Sequence, residues 1–269
     1  MTKPTHLVKT LTATFDLPLK GSEIPAWRGA FIAMAGIEND LFHNHDNRSN
    51  VRPFDSKTVE KAQVSSKLNG HRPIGNRMTA ELPTDNVPTE KFYYRYPLVQ
   101  YRSVRGKAAI FAMNEGVAAF QKILASKAWE IEWEGQPRML QLEGLDMKDH
   151  YLQLTKEPQA YLLRRWLPFN GDNFQRWQES ENLHARVNLL ERILPGQLLN
   201  FCSGAGWQLP GRFDLQLQRI LSERRMRYHD VQRISLDVEY TTNLLLPAGI
   251  ALGKAVSHGF GCNYLAGRK

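Results

Sequence analysis

Residues 41–45 read LFHNH, with two histidines two positions apart at the end of an apolar stretch. Three readings fit that pattern. On a strand, side chains at i and i+2 share a face, so His43 and His45 could hold one metal ion. That site would need a third ligand, and neighbouring Asp40, Asp46 and His71 match no metal-ligand spacing. A histidine pair could instead move protons, since imidazole titrates near neutral pH and serves as acid or base. Alternatively, Leu41 and Phe42 enter the core and the two histidines are solvated edge residues. Spacing does not choose among these.

The letters H-N-H do not make an HNH-type DNA nuclease, whose three residues are spread over a longer metal-binding unit. Cys202 and Cys262 are far apart and form no CxxC; they read as small buried residues of a reducing compartment. No cofactor is expected, and no metal.

A second group of residues lies in PAGIALGKAVSHGFGCN near the C-terminus, where Gly249, Gly253, Gly259 and Gly261 alternate with Lys254, His258 and Phe260. Glycine permits close backbone approach and lets successive amides form an anion-binding nest. The segment is neither a Walker A loop nor a dinucleotide fingerprint; as a plain turn it would only lead into a last strand. RILSERRMRYHDVQR carries Arg219, Arg224, Arg225, Arg227 and Arg233. A charge run is usually a solvated face, but on a hairpin it could hold an RNA backbone. YYRYPLVQYR interleaves aromatics with Arg95 and Arg102, as base stacking and phosphate contact require. On an alternating strand, half of those aromatics should be core. Arg28 on the first helix and Lys107 after a turn complete the cationic candidates.

These residues need elements to position them. The chain has 269 residues, 42% hydrophobic and 23% charged, with a formal charge of +8 that favours a polyanionic partner. There is no signal-like start, and no apolar run is long enough for a bilayer, so a soluble cytoplasmic protein is expected. HLVKTLTATFDLPL alternates like a strand; EIPAWRGAFIAMAG has helical spacing; LFHNHD reads as a short strand or strand-like turn. The polar stretch 46–90, with Pro53, Pro73, Pro83 and Pro88, reads as an irregular insertion. A hairpin turning at Arg105–Gly106, an amphipathic helix EGVAAFQKILAS and further strands follow.

The second half gives a strand in QAYLLRRWLPFN and a helix around 173–201 broken at Pro195–Gly196. A strand pair then has SERRMRYHD at its turn. The order is that of an α+β protein with two tandem ferredoxin-like (RRM-like) βαββαβ domains, 1–150 and 151–269.

The pieces WRGAFIAM, LFHNH, YRYPLVQYR, GKAAIFAMNEGV and LGKAVSHGFG, in that order across both halves, resemble the b-type branch of the CRISPR RNA-processing endoribonucleases, the sixth family of CRISPR-associated proteins. The 46–90 stretch has no place in that pattern. The resemblance implies metal-independent cleavage of CRISPR repeat transcripts into guide RNAs. It makes His43 and His45 the catalytic pair and leaves a 2′,3′-cyclic phosphate and a 5′-hydroxyl. Expected RNA contacts are Arg28, Arg102, Lys107, Arg224, Arg225, Arg227, Gly253, Lys254, His258, Gly259 and Gly261. Repeat RNA is the expected partner, with other effector-complex subunits and a homodimer also compatible. A repeat-binding subunit without turnover is the rival reading, and a metal-dependent hydrolase a more distant one.

Overall fold

Strand β1, His6–Pro18, buries Leu11, Ala13, Phe15 and Leu17 on one face, as its alternation predicts. The computed structural model describes residues 5–36, 40–43, 96–125, 129–228 and 231–267. The chain divides into two units: 45–94, and the rest of the chain. The first of these, with the whole of the expected 46–90 insertion, lies outside the described residues.

Helix α1 (Ile24–Ala35) starts with Pro25 in its first turn and ends at Gly36, whose φ is 84°. It lays Trp27 and Phe31 over Phe15, with ring centroids 5.4 and 6.4 Å away. Residues Asp40–His43 form a helical turn, α2, where a short strand or strand-like turn was expected. Phe42 explains the difference: its ring packs 5.9 Å from Phe31 and is fully buried, so the chain tracks the helix layer instead of joining the sheet.

Strands β2 (Val99–Val104) and β3 (Lys107–Met113) form the expected hairpin. Arg105 and Gly106 both have positive φ, 53° and 77°, as a twist-matched two-residue turn needs. Helix α3 (Glu115–Leu124) buries Val117, Phe120 and Ile123. Strands β4 (Glu130–Trp133) and β5 (Gln136–Met139) make a separate small hairpin. Strand β6, Leu142–Trp166, then runs through both halves of the chain.

The C-terminal half continues with α4 (Gly171–Glu179), α5 (Leu183–Gly204), β7 (Leu215–Tyr228), β8 (Val231–Leu245) and β9 (Cys262–Leu265). The main sheet has the order β2-β3-β1-β6-β8-β7, with β9 also on β6. Its first half, β2-β3-β1-β6, and its second, β9-β6-β8-β7, each have the ferredoxin-like strand order, all antiparallel. The architecture is thus the tandem one, with β6 shared. In the second repeat a loop with one 3₁₀ turn, Val256–His258, stands where the second helix would be.

Two further expectations are corrected. The helical break falls at Ser180–Asn182, between α4 and α5, and α5 runs through Pro195. An interior proline costs about 3 kcal/mol. Beyond it the helix buries Leu198 and Phe201 completely, each contributing roughly 1.5–3 kcal/mol, which offsets that cost. Of SERRMRYHD, residues Ser222–Tyr228 belong to β7, not to a turn; His229 and Asp230 lie outside the described residues.

Candidate functional site

Helices α1 and α2 deliver the chain to LFHNH. The backbone of His43 closes α2. Its side chain, and all of His45, lie outside the described residues. Because α2 is helical, the same-face argument for a strand does not apply at His43.

Arg28 sits one turn after Ile24 on α1, half-buried. The base of α1 meets the glycine-rich loop: a Cβ at Gly259 would lie 2.8 Å from Ile24 Cδ1 and 3.2 Å from the Tyr101 carbonyl oxygen. Glycine is needed there for space and for its φ of 75°. Tyr101, on β2, is buried beneath α1, and its hydroxyl has no hydrogen-bond partner among the described residues. Burial raises its pKa, opposed by the positive charge of Arg28. Segments from opposite ends of the sequence therefore converge beside Arg28.

The loop itself is tightly folded. The amides of Leu252, Lys254, His258, Gly259 and Gly261 each donate to a protein carbonyl, including Leu252 N–H to Gly261 O at 2.8 Å and Lys254 N–H to Leu167 O at 3.0 Å. At these positions the loop's amides build its own path rather than an open anion nest. A Cβ at Gly261 would run into the Leu252 carbonyl oxygen. Gly253, with φ of 97°, lets the chain pass against Trp166.

This path holds two polar side chains at the end of the β7–β8 pair. Nδ1 of His258 lies 2.7 Å from the Tyr228 hydroxyl, and their rings meet edge to face. Lys254 is half-buried, and desolvation, aided by the charge of Arg233, lowers its pKa. Phe260 packs under the Tyr228 ring and the Arg165 guanidinium, 5.4 and 4.4 Å from its centroid.

The β7 arginines divide between two faces. Arg225 pairs across with buried Ile234 and so points, with Arg227, to the core side, past the covered region. Arg224, Met226 and Tyr228 point to the other face, where Met226 is opposite Arg233. Arg224 is 68% exposed, with Asp237 3.9 Å away.

Two predicted contacts lie elsewhere. Arg102 is 7% exposed. Its guanidinium stacks on Phe111 and hydrogen-bonds Gln100, which reaches the Tyr96 hydroxyl and through it the Ala251 backbone. It locks the hairpin to the loop and presents no surface. Lys107 is at the turn of the β2–β3 hairpin, 2.7 Å from a Glu143 carboxylate oxygen.

Tyr101, Arg165 and Tyr228 were not among the predicted site residues. Tyr101 and Tyr228 fall within the quoted aromatic and basic runs, but nothing local singles them out or marks Arg165; their partners are set by long-range pairing. Among the described residues no three His, Cys, Asp or Glu side chains gather as a metal site would require.

The model of the Cas6b N-terminal domain matches residues 58–151, and that of the Cas6b C-terminal domain residues 153–263. Most of the polar stretch 46–90 therefore does fall within a family pattern, while LFHNH lies outside both matched ranges. A crystal structure of Cas6b superposes with a TM-score of 0.71 at 15% identity, covering 97% of this chain and all of that one. A crystal structure of a CRISPR RNA processing endoribonuclease Cas6b does so at 0.62 and 15%, with the same coverage. Csf5, a type IV Cas6 crRNA endonuclease, aligns at 0.51 and 13%, over 97% of this chain and all of its own. At these identities the likeness is one of fold. No curated protein sequence matches the chain.

Proposed function

The chain belongs to the Cas6b family of CRISPR RNA-processing proteins, and from that premise we propose that it cuts CRISPR repeat transcripts by metal-independent transesterification. The observation that carries this reading is the junction at Gly259. There the C-terminal loop with Lys254 and His258 seats on the helix that bears Arg28 and leads to His43. A phosphate held at this junction would have cations around it and the histidine segment one helix away.

In the proposed reaction one histidine of the pair His43/His45 removes the proton from a ribose 2′-hydroxyl. The 2′-oxygen attacks the adjacent phosphorus, and the bond to the 5′-oxygen of the next nucleotide breaks. The other histidine gives that oxygen its proton. The products are a 2′,3′-cyclic phosphate and a 5′-hydroxyl, with no net uptake of water. Arg28 and Lys254 would stabilise the charge growing on the phosphate oxygens. Arg224 on one face of the β7–β8 pair, and Arg225 with Arg227 on the other, would hold flanking RNA. The two ferredoxin-like halves, 1–150 and 151–269, would act as one body through β6.

Incubating the protein with its repeat RNA in EDTA tests this. Cleavage should persist and should vanish with H43A/H45A. A requirement for a divalent ion, or unchanged cleavage by the double variant, would overturn the mechanism. Tight binding by the wild type with no cyclic phosphate product would favour a non-catalytic repeat-binding subunit.

A further inference from the structure

A cavity of about 670 Å³ opens between the end of β1, the β2–β3 turn and the β4–β5 hairpin, within the range of roughly 300–1,000 Å³ typical of small-ligand sites. Leu17, Leu19 and the half-buried Trp133 give it an apolar lining. Polar groups of its floor are already satisfied. The Ser103 hydroxyl donates to the Leu19 carbonyl at 2.6 Å, and the Leu19 N–H donates to the Gly106 carbonyl at 2.8 Å. Lys20, Arg138, Glu23 and Glu134 bring two charges of each sign, so the lining has no net pull on a phosphate. Three of the four are engaged. Glu23 accepts from the Lys20 N–H at 2.7 Å and lies 4.0 Å from its Nζ, and Arg138 donates to the Asp16 carbonyl at 3.2 Å. Glu134 forms no ion pair among the described residues. It stands first in the two-residue β4–β5 turn with a φ of 52°, followed by Gly135 at 76°. Such a turn favours Asn, Asp or Gly at that position; a glutamate held there is strained, and strain of this kind gathers at functional sites. The cavity also adjoins the loop–helix junction. A Cβ at its Gly21 would lie 3.0 Å from Nη1 of Arg165, whose guanidinium stacks on Phe260. Glu23 directly precedes Ile24, which packs at Gly259.

We infer that this cavity receives one unpaired guanine base of the repeat RNA beside the cut, an inference that rests on the RNA-processing function proposed above. An RNA backbone leaving the junction passes Arg165 at the rim formed by Gly21, and its next base reaches the cavity. A neutral ring suits a lining whose charges cancel, and Trp133 supplies an aromatic plane of the kind on which unpaired bases stack. Glu134 selects the base. A carboxylate only accepts hydrogen bonds. Guanine sets its N1–H and its 2-amino group side by side, so both carboxylate oxygens are used. Adenine and cytosine set a ring-nitrogen acceptor beside their amino group, against the carboxylate. Uracil has one N–H between two carbonyls. A well-placed bidentate contact of this type discriminates strongly against the wrong base.

Filter binding of the full chain to repeat RNA blocked by a 2′-deoxy sugar at the cut tests the inference. Each guanine among the unpaired nucleotides flanking the cut is exchanged in turn for inosine, which lacks the 2-amino group. Wild type should lose affinity roughly 10-fold at one of these positions and keep it at the others. E134Q should bind the guanine RNA about as weakly as wild type binds that inosine RNA, and should not distinguish the two. Its Tm should match wild type, because Glu134 is exposed. W133L keeps apolar bulk but no stacking ring, and should bind both RNAs roughly 10-fold more weakly. A wild type equally tight on every inosine RNA overturns the inference, as does a repeat with no unpaired guanine flanking the cut. So does an E134Q protein that discriminates like wild type, or a W133L protein that binds like wild type. Each of these results leaves the processing function standing. A wild type that binds no repeat RNA overturns that function and this inference with it.

Discussion

The hydroxyl of Tyr228, near the end of β7, meets Nδ1 of His258 in the glycine-rich loop at 2.7 Å. The contact ties the tip of the strand pair bearing the arginine run to the loop that seats on α1. It also fixes the angle at which the imidazole leaves the loop. Neither residue marks the other in sequence; the β7 register and the 3₁₀ turn Val256–His258 bring them together.

Removing that hydroxyl should loosen His258 without unfolding the protein. A single hydrogen bond contributes about 0.5–1.5 kcal/mol. Y228F should therefore lower Tm by a few degrees at most and bind repeat RNA more weakly, by no more than roughly 10-fold. The edge contact with Phe260 survives the substitution. Filter binding beside a melting curve separates the two effects.

Cleavage should depend on both histidines of LFHNH. General acid or base catalysis contributes typically 10²–10⁴-fold, so H43A and H45A should each lower the single-turnover rate by about that factor. Binding should persist in both. A substrate with a 2′-deoxy sugar upstream of the cut should bind and stay intact. The wild-type rate should follow a bell-shaped pH profile, with one limb lost in each variant that still turns over.

The loop should tolerate no side chain at Gly261. Its φ is 70° and a Cβ would meet the Leu252 carbonyl oxygen, while the Leu252 N–H donates to the Gly261 carbonyl in a bond that shapes the loop. Backbone strain alone costs about 1–3 kcal/mol. G261A should lower Tm by several degrees for a chain of this size and weaken RNA binding. G267A, at a glycine with open space around it, should do neither.

Much of this scaffold is legible in the residues. The β2–β3 hairpin and its Arg105–Gly106 turn follow from local alternation and a turn that demands positive φ. Helices α1 and α3 follow from apolar spacing. Elements decided by distant packing are less legible. Residues Asp40–His43 become helical because Phe42 finds Phe31, and α5 continues through Pro195 because its far turns are buried. Arg102 looks like a surface cation beside tyrosines. Only the pairing of β2 with β3, which sets Gln100 against Phe111, turns it inward. The convergence of Arg28 with the C-terminal loop has no local sign at all. It arises from the shared strand β6, which sets the second ferredoxin-like half beside the first.

Lys254 makes the contribution of this convergence measurable through pH. Its pKa is lowered, first by desolvation and then by Arg233. The folded protein therefore releases this proton at a lower pH than the unfolded chain does. Between the folded and unfolded pKa values the unfolded state binds more protons, so this group's effect on stability improves as pH rises through that window. RNA affinity should move the opposite way, because the neutral amine no longer pairs with phosphate. Wild type should thus lose affinity on the alkaline side while its folding stability gains. K254R, charged throughout, should hold its affinity across the same range, and its stability should lose the pH-dependent gain. Parallel titrations of RNA affinity and of Tm, wild type against K254R, check both signs. If both proteins lose affinity identically, Lys254 is not at the phosphate.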